Sequence, residues 1–270
     1  MTDLVAYGYM QRALLAAVLI GGVCAVIGVY VVLRGLAFIG AGIAHASFGG
    51  VAIGAALGVN PVGAAIVFCL LVAWAIGYSS KKSGVKEDTA VGIFFAVTMA
   101  LGVLIVGLME GYRVDLMSYL FGSIISVTWQ DLWMTVSVAA VIAILVAVFY
   151  KDLLFIVFDP EAAIVAGLPV ELLYYLLLSM MALVIVTAIK VVGIVLVSAL
   201  VVIPAAAALQ LTERFNRAML ASAAIGVSSC VVGLFAADWL GVSPGAAIVL
   251  LEAAVFGVTA AVSPVRRRAL

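Results

Sequence analysis

Nine stretches of this chain are each apolar for about the 20 residues that a helix needs to cross a bilayer. They cover residues 14–33, 36–57, 62–78, 90–108, 132–150, 172–189, 191–209, 218–237 and 246–262. None alternates polar with apolar side chains, as a membrane barrel strand must, and all are rich in aliphatic residues. Helices are therefore predicted. Of the 270 residues, 68% are hydrophobic and 10% charged, which leaves too little polar surface to coat a globule in water. The expected fold class is an all-α integral membrane protein. It is a polytopic bundle of about nine transmembrane helices in a single domain over residues 1–270, or eight if Pro204 breaks the seventh segment. A formal net charge of zero argues against nucleic acid as a partner.

Lysine and arginine set the expected orientation. If the loop 79–88, with Lys81, Lys82 and Lys86, is cytoplasmic, alternation puts Arg34, Lys151, Arg214, Arg217, Arg266, Arg267 and Arg268 on the same side. Only Arg12, Arg113 and Lys190 then lie outside, which predicts an outer N-terminus and a cytoplasmic C-terminus in the cell membrane. Residues 1–9 hold Asp3 and no basic run, so the first segment is read as retained and not as a signal peptide. The outer loop 110–131 contains an apolar piece, 116–125, too short to span and expected as a re-entrant or interfacial helix. Its acids, Glu110, Asp115 and Asp131, are expected to be solvated. In the inner loop 151–171, Asp159 suits a helix N-cap, Pro160 the first helical position and Gly167 a C-terminal stop. A short cytoplasmic helix near 159–167 follows, either a handle for a soluble partner or an ordinary connection.

An ionisable residue within hydrocarbon is costly and marks a functional hypothesis. His45 is the single histidine and falls near the middle of the second segment. Gly42, Ala46, Gly50 and Gly54 form a small-residue stripe beside it, which lets another helix come close. Ala41 and Gly49 share the face of His45 and are expected to leave space around the imidazole. The ring is either a metal ligand or a packing group bonded to a nearby carbonyl. Asp238 sits at the outer end of the eighth segment, where the helix dipole disfavours a carboxylate. Either a cation passes there or a local turn bond holds it. Glu252 would lie about 12 Å into the ninth helix, near the level of His45, as a metal or proton site or as a neutral buried carboxyl. Glu87 and Asp88 suit a helix N-terminus, whereas Lys190 and Arg34 suit the membrane interfaces. Cys24, Cys69 and Cys230 read as buried small hydrophobes. No phosphate-binding loop of the form G-x-x-x-x-G-K-[ST] occurs, so ATP-driven work would need a separate chain.

The chain resembles the membrane permeases of zinc and manganese ABC importers (ZnuB-, MntB- and TroC-like). The likeness covers nearly the whole length. It rests on RGLAFIGAGIAHASFGGVAIG (34–54), KEDTAVGIFFAVTMALG (86–102), DLMSYLFG (115–122), FDPEAAIVAG (158–167), VVGIVLVSALVVIPAAA (191–207) and the stretch 238–250. It implies a type II importer architecture, a homodimer of permeases, two ABC ATPase subunits and an extracytoplasmic solute-binding protein. It implies no permanently bound cofactor, only a transported divalent metal, zinc or manganese. Asp159, Glu161, Ala162, Ala163 and Gly167 would form the coupling helix, spelling EAA-x-x-x-G. His45 would be the intramembrane metal histidine and Asp238 the aspartate of the outer entrance. Family members often carry an aspartate one turn before the histidine, where Ala41 stands here, and Glu252 occupies a usually apolar place. Glu252 is therefore expected to compensate. A proton-coupled secondary transporter, a permease for iron–siderophore or cobalamin complexes, and a membrane anchor of an enzyme complex are the alternatives.

Overall fold

A computed structural model describes residues 8–109, 116–123 and 127–263, so Glu110, Arg113, Asp115 and the arginines of the tail lie outside the described residues. Every regular element among those described is helical: α1 (Gly8–Leu33), α2 (Ala37–Ala56), α3 (Pro61–Lys82), α4 (Glu87–Leu108), α5 (Leu116–Phe121), α6 (Trp129–Val148), α7 (Tyr150–Phe158), α8 (Pro160–Val165), α9 (Val170–Val192), α10 (Val197–Leu211), α11 (Phe215–Leu240) and α12 (Pro244–Val262). Eight of these, α1, α2, α3, α4, α6, α9, α11 and α12, are long and apolar enough to cross a membrane.

The seventh apolar segment became α10, a 15-residue helix with Pro204 inside it. It still passes from one end of the bundle to the other. Before it, the Ile194 and Val195 amides donate to the Tyr119 and Leu120 carbonyls of α5, at 2.9 and 3.2 Å. Beyond its far end, the Ser263 hydroxyl at the close of α12 donates to the Gln210 carbonyl at 2.9 Å. About 22 Å of helix falls short of a hydrocarbon core of roughly 30 Å, and the hydrogen-bonded turn over residues 193–196 leads into it from the first end. The expectations of nine and of eight spans thus meet in eight full-length helices and one short passage.

Contacts at the two ends fix the alternation. At the first end, Arg12 Nε–H donates to the Val127 carbonyl at 2.9 Å, Lys190 pairs with Asp131 at 2.7 Å, and the Ser243 hydroxyl donates to the Phe121 carbonyl at 2.8 Å. At the second, the Tyr174 hydroxyl donates to Glu87 at 3.1 Å, and the Lys81 ammonium sits 4.3 Å above the Tyr174 ring. The start of α1 and the end of α12 therefore lie at opposite ends. Among the described residues the second end carries Arg34, Lys81, Lys82, Lys86, Lys151, Arg214 and Arg217, and the first carries Arg12 and Lys190.

Lipid tails are as apolar as leucine, so helices in a membrane associate through close van der Waals packing at small residues. Gly28 of α1 has the Val201 carbonyl of α10 where a Cβ would stand, and Gly245 of α12 has the Val192 carbonyl. Gly21 and Gly226 bring α1 and α11 together in the same way, a Cβ on Gly226 falling 2.6 Å from the Gly21 oxygen. Cys24, Cys69 and Cys230 are buried free thiols, as expected.

Three local expectations are corrected. Residues 151–158, read as loop, form α7 together with Tyr150, and α7 continues α6 after a break at Phe149. The boundary placed at Lys190 moves to Gly193, because Lys190 stays helical in the last turn of α9 with Asp131 as its partner. Asp131 is not solvated. Its side chain is 14% exposed, and with Thr128 it forms a reciprocal cap on α6.

Candidate functional site

His45 projects from α2 where that helix lies against both α3 and α4. The glycines around it bring these neighbours in. A Cβ on Gly50 would stand 2.6 Å from the Ala65 Cα of α3, and one on Gly42 would stand 2.7 Å from Val91 of α4. The small-residue stripe therefore does what the sequence predicted. The expected open space at Gly49 is absent, because the Thr98 carbonyl of α4 and the Phe68 ring fill the place of its missing Cβ. The imidazole opens elsewhere. It is half-buried, edge-on to Phe95 of α4 with centroids 4.7 Å apart, on the α2 strip that also carries the exposed Phe38 and the half-buried Ala41.

The tautomer of His45 follows from one bond. Nδ1 lies 2.9 Å from the Ala41 carbonyl oxygen, four residues back. A carbonyl only accepts, so Nδ1 carries the proton and the lone pair of the neutral ring resides on Nε2. The carbonyl bond read as the packing alternative is thus present, and it orients the ring as such bonds orient metal-ligating histidines, leaving Nε2 for a ligand.

Asp238 lies in the last turn of α11, which runs three residues beyond the expected end, to Leu240. Gly241 closes the helix in the left-handed conformation, and the Val242 amide donates to the Ala237 carbonyl at 3.0 Å. The half-buried Asp238 carboxylate takes no part in that turn and has no partner among the described residues.

Glu252 is 0% exposed, and neither carboxyl oxygen has a hydrogen-bond partner. Gly233 of α11 packs so tightly that its Cβ would fall 2.7 Å from the Ile248 Cα of α12. One turn along these antiparallel helices Ser229 comes level with Glu252, and the Ser229 hydroxyl is also buried and unpartnered. Cys24 of α1 and Cys230 of α11 are its electrostatic neighbours. His45 meets Phe95 of α4 whereas Glu252 lies beside Cys24 of α1 and Cys230 of α11, and no hydrogen bond joins the two. The described residues contain no group of three or more histidine, cysteine, aspartate or glutamate side chains placed to hold a metal ion. Glu87 and Asp88 occupy the first turn of α4 without a side-chain cap bond.

At the second end, α8 is bounded as the sequence predicts. Asp159 accepts the Ala162 amide at 2.9 Å, and Pro160 occupies the first turn. Gly167, with φ of +80°, donates to the Ile164 carbonyl and Leu168 to the Ala163 carbonyl, both at 3.0 Å. This is the paired-bond stop that favours glycine at the left-handed position. Ala163 is buried, whereas Phe158, Ile164 and Val165 are exposed, Val165 by 90%. Those apolar side chains went unnoticed in the sequence. For Ile164 and Val165 the signal was apolar residues between a cap and a stop in a loop too short to span.

The sequence pattern of the ABC 3 transport family matches residues 6–263. The chain belongs to the ABC 3 transport family. It is 40% identical over 97% of its length to a manganese transport system membrane protein, MntC, of Halalkalibacterium halodurans, covering 90% of that relative. It is 36% identical to a manganese import system permease protein, ScaB, of Streptococcus parasanguinis, over 97% of this chain and 93% of the relative. A solved structure of PsaBC from Streptococcus pneumoniae in complex with Fab superposes with a TM-score of 0.90 at 35% identity, covering 98% of this chain and 96% of that one. An inward-facing metal-chelate-type ABC transporter shares the fold, with a TM-score of 0.74 at 16% identity over 92% of this chain and 84% of that one.

Proposed function

We propose that this chain is the membrane-spanning permease subunit of an ABC importer for a divalent transition metal, with manganese the first candidate cargo. Family membership across residues 6–263 carries the class, and the metal is drawn from relatives whose names specify manganese. Zinc and ferrous iron remain the rival cargoes, since imidazole and carboxylate ligands serve all three. ATP hydrolysis resides on a partner chain. The assembly is a homodimer with two ATPase subunits at the second end of the bundle and a solute-binding protein at the first. The excess of lysine and arginine at the second end favours that end as cytoplasmic, with the N-terminus outside. A cytoplasmic second end also puts α8 where a soluble ATPase can reach it. There Asp159 and Gly167 fix the helix, Glu161 and Ala162 lie on it, and Ile164 and Val165 offer an apolar anchor.

The cation enters past Asp238, whose carboxylate is unpartnered at the first end, and is received by Nε2 of His45 near mid-membrane. A transit site needs enough ligands to replace hydration and few enough to let go. Glu252 supplies a carboxyl where Ala41 offers none. It is sealed from solvent in this conformation, so it engages when α10 and α12 part during alternating access. The test is reconstitution of the chain with its ATPase and its solute-binding protein in proteoliposomes. ATP-dependent accumulation of manganese is expected, and ATP hydrolysis without accumulation of manganese, zinc or iron would refute the reading.

A further inference from the structure

Helices α1, α6 and α11 enclose an open groove of about 530 Å³ on the flank of the bundle, away from His45 and from α8. Its walls include Val18 and Val26 of α1, Ala143 and Ala147 of α6, and Met219 and Ala223 of α11. The one polar side chain lining it, Tyr150, donates its hydroxyl to the Asn216 side-chain oxygen, so the groove offers a ligand nothing to hydrogen-bond along its length. From Val18 to Val26, α1 rises about 12 Å along the groove, and Tyr150 continues it towards the second end. An elongated hydrocarbon fits such a slot.

The mouth of the groove is basic. Tyr150 is followed by Lys151, and Asn216 is flanked by Arg214 and Arg217. All three cations are exposed, and none has an ion-pair partner among the described residues. Asp152 and Glu213 stand nearby but leave the mouth with an excess of positive charge. Basic rims above apolar clefts between membrane helices recognise anionic headgroups, through charge that a zwitterionic headgroup does not neutralise. We propose that this groove binds an anionic phospholipid, with one acyl chain between α1, α6 and α11 and the phosphate held by Lys151 and Arg217. The site involves none of the residues assigned to metal passage and stands whether or not that assignment does.

The test is native mass spectrometry of the full chain extracted from membranes and exchanged into nanodiscs holding equal phosphatidylglycerol and phosphatidylethanolamine. The wild type should retain one phosphatidylglycerol per chain in at least fivefold preference. Ala143→Trp places an indole in the groove from an exposed position and should abolish retention while the thermal midpoint holds. The double variant Lys151→Gln/Arg217→Gln should keep a lipid but lose the headgroup preference. Equal retention of the two lipids by the wild type, or retention unchanged by Ala143→Trp, would overturn the proposal. So would a co-purifying membrane protein displaced by Ala143→Trp in place of lipid.

Discussion

Replacing Glu252 with methionine separates what this carboxyl costs from what it does. Both oxygens are buried and neither is bonded, so the fold bears the desolvation of a polar group with no compensating bond. Mutational series put that penalty at about 1–3 kcal/mol for a neutral group and far higher for an ionised one. Methionine is unbranched like glutamate and fills irregular gaps, so repacking against Ile248 and Cys230 adds little strain, under about 1.5 kcal/mol. Glu252→Met should therefore stabilise the chain by roughly 1–2 kcal/mol. The measurement is equilibrium unfolding in mixed micelles, compared at fixed detergent ratio. Metal uptake by the same variant should fall at least tenfold, and Glu252→Gln, which keeps the shape, should fall with it. A loss of stability of more than about 1 kcal/mol would show that the carboxyl has a structural partner, and the reasoning from its isolation would fail. Full uptake by both variants would remove Glu252 from the transport route.

Asp159→Ala should cost about 1 kcal/mol at α8 by releasing the Ala162 amide, and should lower co-purification of the ATPase without changing the stability of the bundle. Asp131→Ala should destabilise more than Lys190→Met, because it removes the Thr128 cap together with the ion pair; thermal unfolding of the two variants decides the order. Gly28→Ala drives a methyl into the Val201 carbonyl and should cost about 3 kcal/mol or more, whereas Gly22→Ala meets Val227 at an ordinary 3.6 Å and should be nearly silent in folded yield.

Much of the bundle was legible because a bilayer admits so few solutions: an apolar run of the right length must be a helix. The α8 bounds were equally legible, since Asp159, Pro160 and Gly167 act within their own few residues. What escaped depended on partners far away in sequence. Lys190 looked like a boundary because a lone charge interrupts an apolar run, yet Asp131, 59 residues earlier, neutralises it inside the fold. Gly49 looked like empty space, and only the approach of α4 turns it into a contact with Thr98. The depth of Glu252 was readable from helix rise, but its neighbours Cys24 and Ser229 were not. For His45 the residue was found by its rarity, and the tautomer by a bond to Ala41 that spacing permits but does not require.

Uptake of manganese by proteoliposomes holding the chain, its ATPase and its solute-binding protein, compared between the wild type and His45→Gln, tests the central assignment most directly. Glutamine preserves bulk and polarity but removes the Nε2 lone pair. ATP-dependent accumulation should fall to the level of liposomes without ATP while the complex stays assembled. Accumulation at the wild-type rate would contradict the assignment.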